Sequence, residues 1–302
     1  MSGTPLPERT VCLIGYGEVG QTLARDLLAR GVGVATFDTL FADSGSAPSR
    51  AAELTAVRRG NDLADALAGC GIVVSAVTAS DCLAVAREVA PLLAAGTFYL
   101  DLNSVSPATK IAADRAISAG RGRYVEAAVM SPILPAGIRS PMLTGGPHAA
   151  AFEPLARRLG FERLSFCAPT VGRASATKMC RSVIIKGVES LLTESLVAAR
   201  RYGVEQAVLD SLGGLLPAKD WPALSAYMIR RSLEHGRRRA AEMREVAVTV
   251  RAAGIEPWMS EATSARQDWA AERGEQPYPE EIIPLLDAFL ATITEQTGDV
   301  PC

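Results

Sequence analysis

The sequence predicts an α/β domain with a parallel, doubly wound sheet, followed by an all-helical domain. Strand-like apolar runs alternate with helical segments between residue 10 and about residue 168, the order typical of a parallel sheet connected by helices. Beyond Pro169 the strand-like runs cease, and long helical segments are separated by breaks that contain glycine or proline. We therefore expect a sheet domain over residues 1–169 and a helical domain over residues 170–302.

Each predicted element follows from its local pattern. Short apolar and β-branched runs predict strands at 11–15, 32–37, near 56, 71–77, 97–102, 123–130, 141–146 and 162–167. Amphipathic periodicity predicts helices at 21–31, 61–69, 81–93, 106–119 and 148–159. The serine-rich segment 42–50 is expected to be a solvated loop. A long apolar helix is predicted from about Ala174 to Tyr202, with later helix breaks near 213–214, 220–222, 254–257 and 274–279.

A glycine motif lies between the first predicted strand and the first predicted helix. Its spacing is G-x-G-x-x-G, carried by Gly15, Gly17 and Gly20. The first glycine permits a tight turn, the second admits a pyrophosphate, and the third lets the helix pack against the strand. The helix start then offers free N–H groups to the phosphates. This pattern predicts a Rossmann-like, dinucleotide-binding domain. The predicted cofactor contacts are Gly15, Tyr16, Gly17, Glu18, Val19 and Gly20.

Asp38 follows the second predicted strand and bears on which dinucleotide is bound. A carboxylate at this position accepts hydrogen bonds from the adenine-ribose diol and repels a ribose 2′-phosphate. Residues 39–41 bring no cation. NAD is therefore the expected cofactor. NADP stays open as an alternative, since the serines and Arg50 of segment 42–50 offer phosphate ligands if that segment folds back.

Composition excludes several classes of function. The net charge of −2 gives no overall basic surface for nucleic acid or an anionic membrane. No apolar run reaches the roughly 18 residues of a membrane span, and residues 1–10 lack the pattern of a secretory signal. The six cysteines form no C-x-x-C pair and only two histidines are present, so no metal site is expected. We expect a cytoplasmic protein with reduced cysteines.

Residues directly after the strands are further candidates, because open α/β sheets bind ligands outside the carboxyl ends of their strands. Val77 and Thr78 close the strand-like run that begins at residue 71, and Asn103 follows the run at 97–102. We predict that these three residues contact the cofactor. Met130 and Ser131 follow the run at 123–130 and are predicted to lie near the substrate.

The long helix carries its polar residues in one stripe. Lys178, Ser182, Lys186, Glu189 and Thr193 fall within a narrow sector at about 100° per residue. Because the rest of the helix is apolar, this stripe needs polar partners or a wet cleft. Two interpretations stay open, namely a functional cleft, or an internal Lys186–Glu189 pair with Lys178 near solvent.

The chain resembles the β-hydroxyacid dehydrogenase family, which includes 6-phosphogluconate and 3-hydroxyisobutyrate dehydrogenases. The resemblance covers nearly the whole chain and begins with the glycine motif. The family motif G-x-G-x-x-x-K-x-x-x-N falls on Gly172, Ala174, Lys178 and Ser182. The motif D-x-S-T-x-x-P falls on Asp101, Asn103, Ser104 and Pro107. The resemblance implies that Lys178 is the catalytic acid/base, exchanging a proton with the substrate hydroxyl, and that Ser182 orients a substrate oxygen.

The chain departs from the family at a third motif, D-A-P-V-S-G-G, which falls on residues 126–132. Here Glu126 replaces the aspartate, and Met130-Ser131-Pro132 replaces Ser-Gly-Gly. Pro132 has no N–H to donate, so the family's carboxylate clamp is weakened, with the Ser131 hydroxyl as a partial substitute. A cationic replacement is offered by one face of a later helix, formed by Arg231, His235, Arg238, Arg239 and Glu242. We predict substrate contacts from His235 and Arg239. A solvated basic face is the alternative.

These observations predict an NAD(P)-dependent dehydrogenase that acts on the CH–OH group of a small, polar, anionic substrate. One alternative is an imine reductase, although the resembling reductases lack the lysine that this chain has at 178. Another is a non-catalytic dinucleotide-binding protein. We also expect a homodimer formed through helices after residue 170, with the active site in the cleft between the domains.

Overall fold

The computed structural model describes residues 10–215, 220–254, 256–274 and 276–297. The chain divides into two compact units, and the division falls between Lys178 and Met179. The predicted boundary at residue 170 lies just before the long helix within which this division falls. The two units are described separately below.

The first unit is built on one sheet whose strands follow the predicted order. The strands are β1 (Thr10–Ile14), β2 (Gly33–Phe37), β3 (Arg58–Arg59), β4 (Ile72–Ser75), β5 (Phe98–Asp101), β6 (Arg123–Val129), β7 (Met142–Gly145) and β8 (Leu164–Ala168). Across the sheet they lie in the order β3-β2-β1-β4-β5-β6-β7-β8. The order reverses between β1 and β4, which is the switch point where sheets of this kind bind ligands. The predicted doubly wound fold is confirmed.

One pair of neighbouring strands in this sheet is antiparallel. Strands β6 and β7 run in opposite directions, with Ala128 opposite Leu143, whereas the other neighbouring strands are parallel. The connection between them holds only a short 3₁₀ turn, Gly137–Arg139. A parallel crossover needs a longer connection, usually a helix, so the chain returns antiparallel.

The helices of the first unit are α1 (Glu18–Leu28), α2 (Ala47–Glu53), α3 (Leu63–Leu67), α4 (Cys82–Val89), α5 (Pro107–Ala119) and α6 (Ala149–Leu159). Helix α2 corrects the prediction of a loop at 42–50. The Ser46 hydroxyl accepts a hydrogen bond from the Ser49 N–H at 3.2 Å and so caps this helix. Pro48 lies in its first turn, where a missing N–H costs nothing.

The sheet is buried on both faces, which explains its continuous apolar strands. On one face Leu27 of α1 and Phe152 of α6 pack with Leu13 and Leu100. The other face buries a second cluster that includes Tyr99, Tyr124, Ala86 and Ile117. The sheet thereby holds the loops at its strand ends on a rigid support.

The second unit is helical in its described residues, as predicted. Its helices are α7 (Arg173–Tyr202, which begins in the first unit), α8 (Glu205–Leu215), α9 (Trp221–Ala252), α10 (Trp258–Ala271) and α11 (Ile282–Thr297). Leu196, Ile229, Leu285 and Phe289 form the centre of its core. Over the ranges that the structure describes, no helix is both long and apolar enough to traverse a bilayer.

Candidate functional site

The glycine motif forms the tight turn between β1 and α1. Gly15 has a φ of +90°, and a Cβ atom on it would collide with the carbonyl oxygen of Ala76. A Cβ on Gly20 would collide with the carbonyl oxygen of Gly15, so this glycine lets α1 start directly against the turn. A Cβ on Gly17 would meet no protein atom within 4 Å. The turn is therefore closed on the protein side and open where a phosphate would approach.

The start of α1 has the features of an anion site. Gly17 occupies the N-cap and has no side chain to accept from the free N–H groups of the first turn. Those groups and the positive end of the helix dipole suit a pyrophosphate. The other predicted contacts differ in exposure. Tyr16 is buried against Phe41, Val19 is half-buried and Glu18 is exposed. Because the Glu18 carboxylate would repel a phosphate, any contact from Glu18 to a phosphate would use its backbone N–H.

Asp38 lies directly after β2, at the edge of a cavity of about 460 Å³. Its carboxylate accepts from the N–H of Tyr16 at 2.7 Å and from the N–H of Leu40 at 2.9 Å. These two bonds fix the carboxylate beside the glycine turn and leave it lone pairs for a ribose diol. The same cavity is lined by Arg59 of β3, a cation that the sequence analysis did not associate with this site.

The predicted cofactor contacts after β4 and β5 are joined by the Asn103 side chain. Its Oδ1 accepts from the N–H of Val77 at 2.8 Å, and its Nδ2 donates to the Ser75 hydroxyl at 3.0 Å. Thr78 is exposed, and its hydroxyl donates to the carboxylate of Asp81 at 2.5 Å. Asn103 therefore holds two strand ends together, and the predicted contacts of these residues with the cofactor stay predictions.

A buried polar cluster is centred on Asp101, the last residue of β5. This cluster was not among the predictions from the sequence. The Asp101 carboxylate pairs with Lys110 Nζ at 2.9 Å and accepts from the Tyr124 hydroxyl at 2.7 Å and the Asn103 N–H at 2.9 Å. Burial and the nearby carboxylate raise the pKa of Tyr124 well above its ordinary value. For the same two reasons the pKa of Cys82 rises to about 12. By accepting from the Asn103 N–H, Asp101 also anchors the loop that follows β5.

Glu126 of β6, at the position where the family motif has aspartate, is fully buried. Its two carboxylate oxygens accept from the N–H of Gly172 and the N–H of Ser175, each at 2.8 Å. Both N–H groups belong to the start of α7, where the chain provides no intrahelical acceptors. A carboxylate there also stabilises the helix dipole. Glu126 therefore fixes the position of the helix that carries Lys178.

Met130 and Ser131 follow β6 and are both half-buried. The Ser131 hydroxyl donates to the carbonyl oxygen of Pro132 at 3.0 Å. In this position the hydroxyl retains lone pairs but its proton is directed to the backbone. The predicted contacts of both residues with the substrate stay predictions.

Lys178 extends from α7 to the loop that follows β5. Its Nζ donates to the Ser104 hydroxyl at 2.5 Å, and the side chain is half-buried. Ser104 belongs to the family's D-x-S-T-x-x-P motif, but its separation from Lys178 by 74 residues gives no sequence signal of this contact. Lys178 and Asn103 therefore both lie at the carboxyl end of β5 in the first unit.

In the second unit the polar stripe of α7 continues with partners from α9. Ser182 is buried, and its hydroxyl accepts from Lys186 Nζ at 3.4 Å. Lys186 pairs with Glu242 at 2.7 Å. Of the two interpretations left open by the sequence, the internal Lys186–Glu189 pair is not the one formed, because α9 supplies an acid opposite the lysine.

Arg239 has a carboxylate partner inside the second unit. It is 5% exposed and pairs with Glu189 of α7. Burial lowers the pKa of Arg239 and raises the pKa of Glu189 from their ordinary values. The expectation that Arg239 presents a free cation is therefore corrected, since Glu189 already neutralises it. Whether it contacts a substrate stays a prediction.

His235 lies one turn before Arg239 on α9 and is half-buried. Burial, together with the positive charges of Arg231 and Arg238, lowers the pKa of His235 from its ordinary value. The imidazole is therefore neutral near pH 7, and it offers hydrogen bonds instead of a positive charge. Arg238 is itself paired with Glu242 at 2.6 Å.

Comparisons with known proteins show which family and which solved structures this chain is similar to. Residues 10–157 match the family described as the NAD binding domain of 6-phosphogluconate dehydrogenase, and residues 199–270 match a domain of unknown function, DUF1932. A conserved hypothetical protein of Sinorhizobium meliloti 1021 is 36% identical, with 94% of this chain and 96% of that chain covered and a TM-score of 0.74. The conserved protein MTH1747, of unknown function and with structural similarity to 3-hydroxyacid dehydrogenases, is 33% identical, with 87% and 97% covered and a TM-score of 0.67.

More distant structures share the fold alone. The 3-hydroxyisobutyrate dehydrogenase of Mycobacterium tuberculosis is 16% identical, with 94% of this chain and 99% of that chain covered and a TM-score of 0.71. An imine reductase variant from Myxococcus stipitatus, in complex with NAD⁺, is 20% identical, with 93% and 99% covered and a TM-score of 0.58. The fold therefore does not decide between alcohol and imine chemistry.

This chain belongs to the β-hydroxyacid dehydrogenase family, as its motifs indicated. The dinucleotide-binding domain and the family together define a nicotinamide-dependent oxidoreductase. Among the described residues, no group of three or more potential metal ligands is close enough to hold an ion.

Proposed function

We propose that this protein transfers a hydride between NAD and the hydroxyl-bearing carbon of a small, polar hydroxy acid or a related compound. The observation that carries the proposal is the 2.5 Å hydrogen bond from Lys178 Nζ to the Ser104 hydroxyl. Ser104 follows β5, and the glycine turn follows β1 in the same parallel part of the sheet. The lysine is therefore held at the edge of the sheet where the cofactor is expected.

The first unit fits a nicotinamide dinucleotide on its own geometry. The open space at Gly17 and the uncapped start of α1 suit the pyrophosphate, and the cavity at Asp38 suits the adenosine. When bound, NAD supplies the carbon that accepts or returns the hydride. We favour NAD over NADP because the Asp38 carboxylate would repel a 2′-phosphate.

Lys178 would move the proton that accompanies the hydride. In the oxidation direction its neutral amine accepts the proton of the substrate hydroxyl, and in the reduction direction its ammonium returns that proton to the forming alkoxide. Ser104 positions Nζ by accepting its hydrogen bond, which leaves the serine proton free to reach a substrate oxygen. Ser182, one turn later on α7, is proposed to orient the substrate.

An anionic substrate remains part of this proposal, with a narrower set of anchoring groups than the sequence indicated. Arg239 and Arg238 are paired with Glu189 and Glu242. The half-buried hydroxyl of Ser131 and the neutral imidazole of His235 keep polar capacity for a carboxylate or hydroxyl. We infer that substrate recognition uses hydrogen bonds more than full positive charges.

A homodimer is also proposed. Ile184 and Leu191 lie seven residues apart on α7, which places them on one side of the helix. The two residues are 67% and 58% exposed. Such apolar side chains on one helix face favour burial against a second copy of the chain.

The decisive experiment replaces Lys178 with methionine, which keeps the length of the side chain and removes the amine. We expect kcat to fall by about 10²–10⁴-fold, the usual contribution of general acid–base catalysis, with the Kd for NAD unchanged. A panel of hydroxy acids with NAD and of cyclic imines with NADPH would first identify the substrate class. Ser182→Ala should lower kcat less than Lys178→Met does, because this serine carries no proton in the proposed mechanism.

Three results would contradict this proposal. Turnover of Lys178→Met within a few-fold of the unsubstituted protein would exclude the lysine as the proton carrier. Reduction of imines alone would assign the chain to imine chemistry. NAD binding without turnover of either substrate class would indicate a non-catalytic dinucleotide-binding protein.

A further inference from the structure

The cavity beside Asp38 is lined by groups of two different kinds. One wall is the end of β2 and the turn after it, which includes Asp38 and Phe41. The other wall is the end of β3 and the residues after it, Arg59, Gly60 and Asn61. Strand β3 lies parallel to β2 at the edge of the sheet, with Thr36 opposite Arg59. The register of this short strand therefore brings Arg59 to the cavity.

The Arg59 guanidinium is held in a defined position by Phe41. Its central carbon lies 4.5 Å from the centre of the Phe41 ring, and one of its N–H groups donates to the carbonyl oxygen of Phe41. A cation over an aromatic face is stabilised by the ring quadrupole. Phe41 therefore covers one face of the guanidinium, and both residues line the cavity.

Within the described residues Arg59 has no carboxylate partner, whereas its neighbour Arg58 is paired with Asp65 at 3.3 Å. An unpaired, planar cation beside a ribose-binding carboxylate suits the flat base of the adenosine. A 2′-phosphate would suit the cation as well, but it would come close to the Asp38 carboxylate, which repels it. The two neighbours therefore favour a base-stacking role over a phosphate-binding role.

We propose that Arg59, supported by Phe41, stacks on the adenine ring of the bound dinucleotide and does not act as a phosphate ligand. This inference rests on the proposed function and deepens it, since it names the residue that contacts the adenine base. It makes no use of Lys178, the substrate or turnover. Its test can therefore be a binding measurement.

The experiment is a titration calorimetry series with NAD, ADP-ribose and NADP. The variants are Arg59→Ala, which removes the group, and Arg59→Lys, which keeps the charge but lacks the planar face. We expect both variants to weaken NAD and ADP-ribose binding about tenfold, the size of one lost base-stacking contact. The NADP affinity should fall by the same factor, so the ratio of NAD to NADP affinity stays unchanged.

A matched control is available in the same unit. Arg123 lies at the amino end of β6, and its guanidinium lies 5.3 Å from the Phe98 ring centre. Arg123→Ala therefore removes the same kind of arginine–phenylalanine contact away from the cavity, and it should leave all three affinities unchanged.

Two outcomes overturn the inference while leaving the proposed function intact. One is an Arg59→Ala protein with NAD and ADP-ribose affinities within twofold of the unsubstituted protein. The other is a loss confined to NADP that Arg59→Lys restores, since that pattern identifies a phosphate ligand. If the unsubstituted protein binds none of the three ligands, the proposed function fails and this inference fails with it.

Discussion

The buried ion pair of Asp101 and Lys110 gives the sharpest stability prediction. The two side chains are 0% and 1% exposed, and Lys110 Nζ lies 2.9 Å both from the Asp101 carboxylate and from the Asp101 carbonyl oxygen. Removing one partner of a buried pair leaves the other charge uncompensated, which typically costs about 3–5 kcal/mol. The pair lies below the loop that carries Asn103 and Ser104, so its loss would also affect the candidate site.

The perturbation is Lys110→Met, which fills nearly the same volume without a charge. Asp101 would keep three donors, the Tyr124 hydroxyl, the Asn103 N–H and the Cys82 thiol. Hydrogen bonds to a charged group are worth about 1.5–3 kcal/mol each, so these donors limit the damage. We therefore expect destabilisation near the lower end of the range, about 3 kcal/mol.

The assay is urea unfolding followed by circular dichroism, with Arg157→Met as the control. Arg157 forms an exposed i,i+4 pair with Glu153 at 2.8 Å in the same unit. Surface pairs of this kind contribute about 0.3–0.5 kcal/mol, so the control should hardly change stability. The double variant Asp101→Asn, Lys110→Met should be less destabilised than the sum of its single variants. Equal, small effects of Lys110→Met and Arg157→Met would refute the reasoning.

Two further predictions concern the second unit. Because burial raises the pKa of Glu189 above its ordinary 4.5, the folded unit binds this proton more tightly than the unfolded chain does. Its contribution to stability is therefore complete below pH 4.5 and is lost as the pH rises through the raised value. Glu189→Gln should abolish this decrease of stability with rising pH. The measurement is urea unfolding followed by tryptophan fluorescence, since all three tryptophans lie in this unit. If the decrease is unchanged in Glu189→Gln, it belongs to another group. The other prediction concerns the proposed dimer, which sedimentation velocity at micromolar concentration should detect. Leu191→Glu should dissociate the dimer, whereas the control Arg237→Glu, at an exposed position of α9, should not. A monomeric unsubstituted protein would contradict the proposed dimer.

The parts of the site that could be predicted from the sequence are those set by neighbouring residues. The glycine turn and Asp38 are encoded by short-range spacing, because one strand, one turn and one helix fix their positions. The start of α2 was equally local, and Ser46 followed by Pro48 is a helix-start pattern. Serine is also frequent in loops, so the composition of that segment by itself predicts a loop.

Ion pairs between elements could not be predicted in the same way. Lys186 and Glu189 are three residues apart on one helix, a spacing that allows a pair. In the structure each has a partner from α9, Glu242 and Arg239 respectively. The choice depends on which face of α9 packs against α7, and periodicity along a single helix does not determine that packing.

The position of Lys178 combines both kinds of information. Its identity follows from a motif, but its geometry depends on two contacts distant in sequence, Glu126 with the start of α7 and Ser104 with Nζ. A buried carboxylate that binds two N–H groups of the helix start leaves the first turns of α7 little freedom. The serine then restricts the flexible end of the lysine. In the proposed mechanism Glu126 is a positioning residue, because it fixes the start of the helix from which the lysine extends.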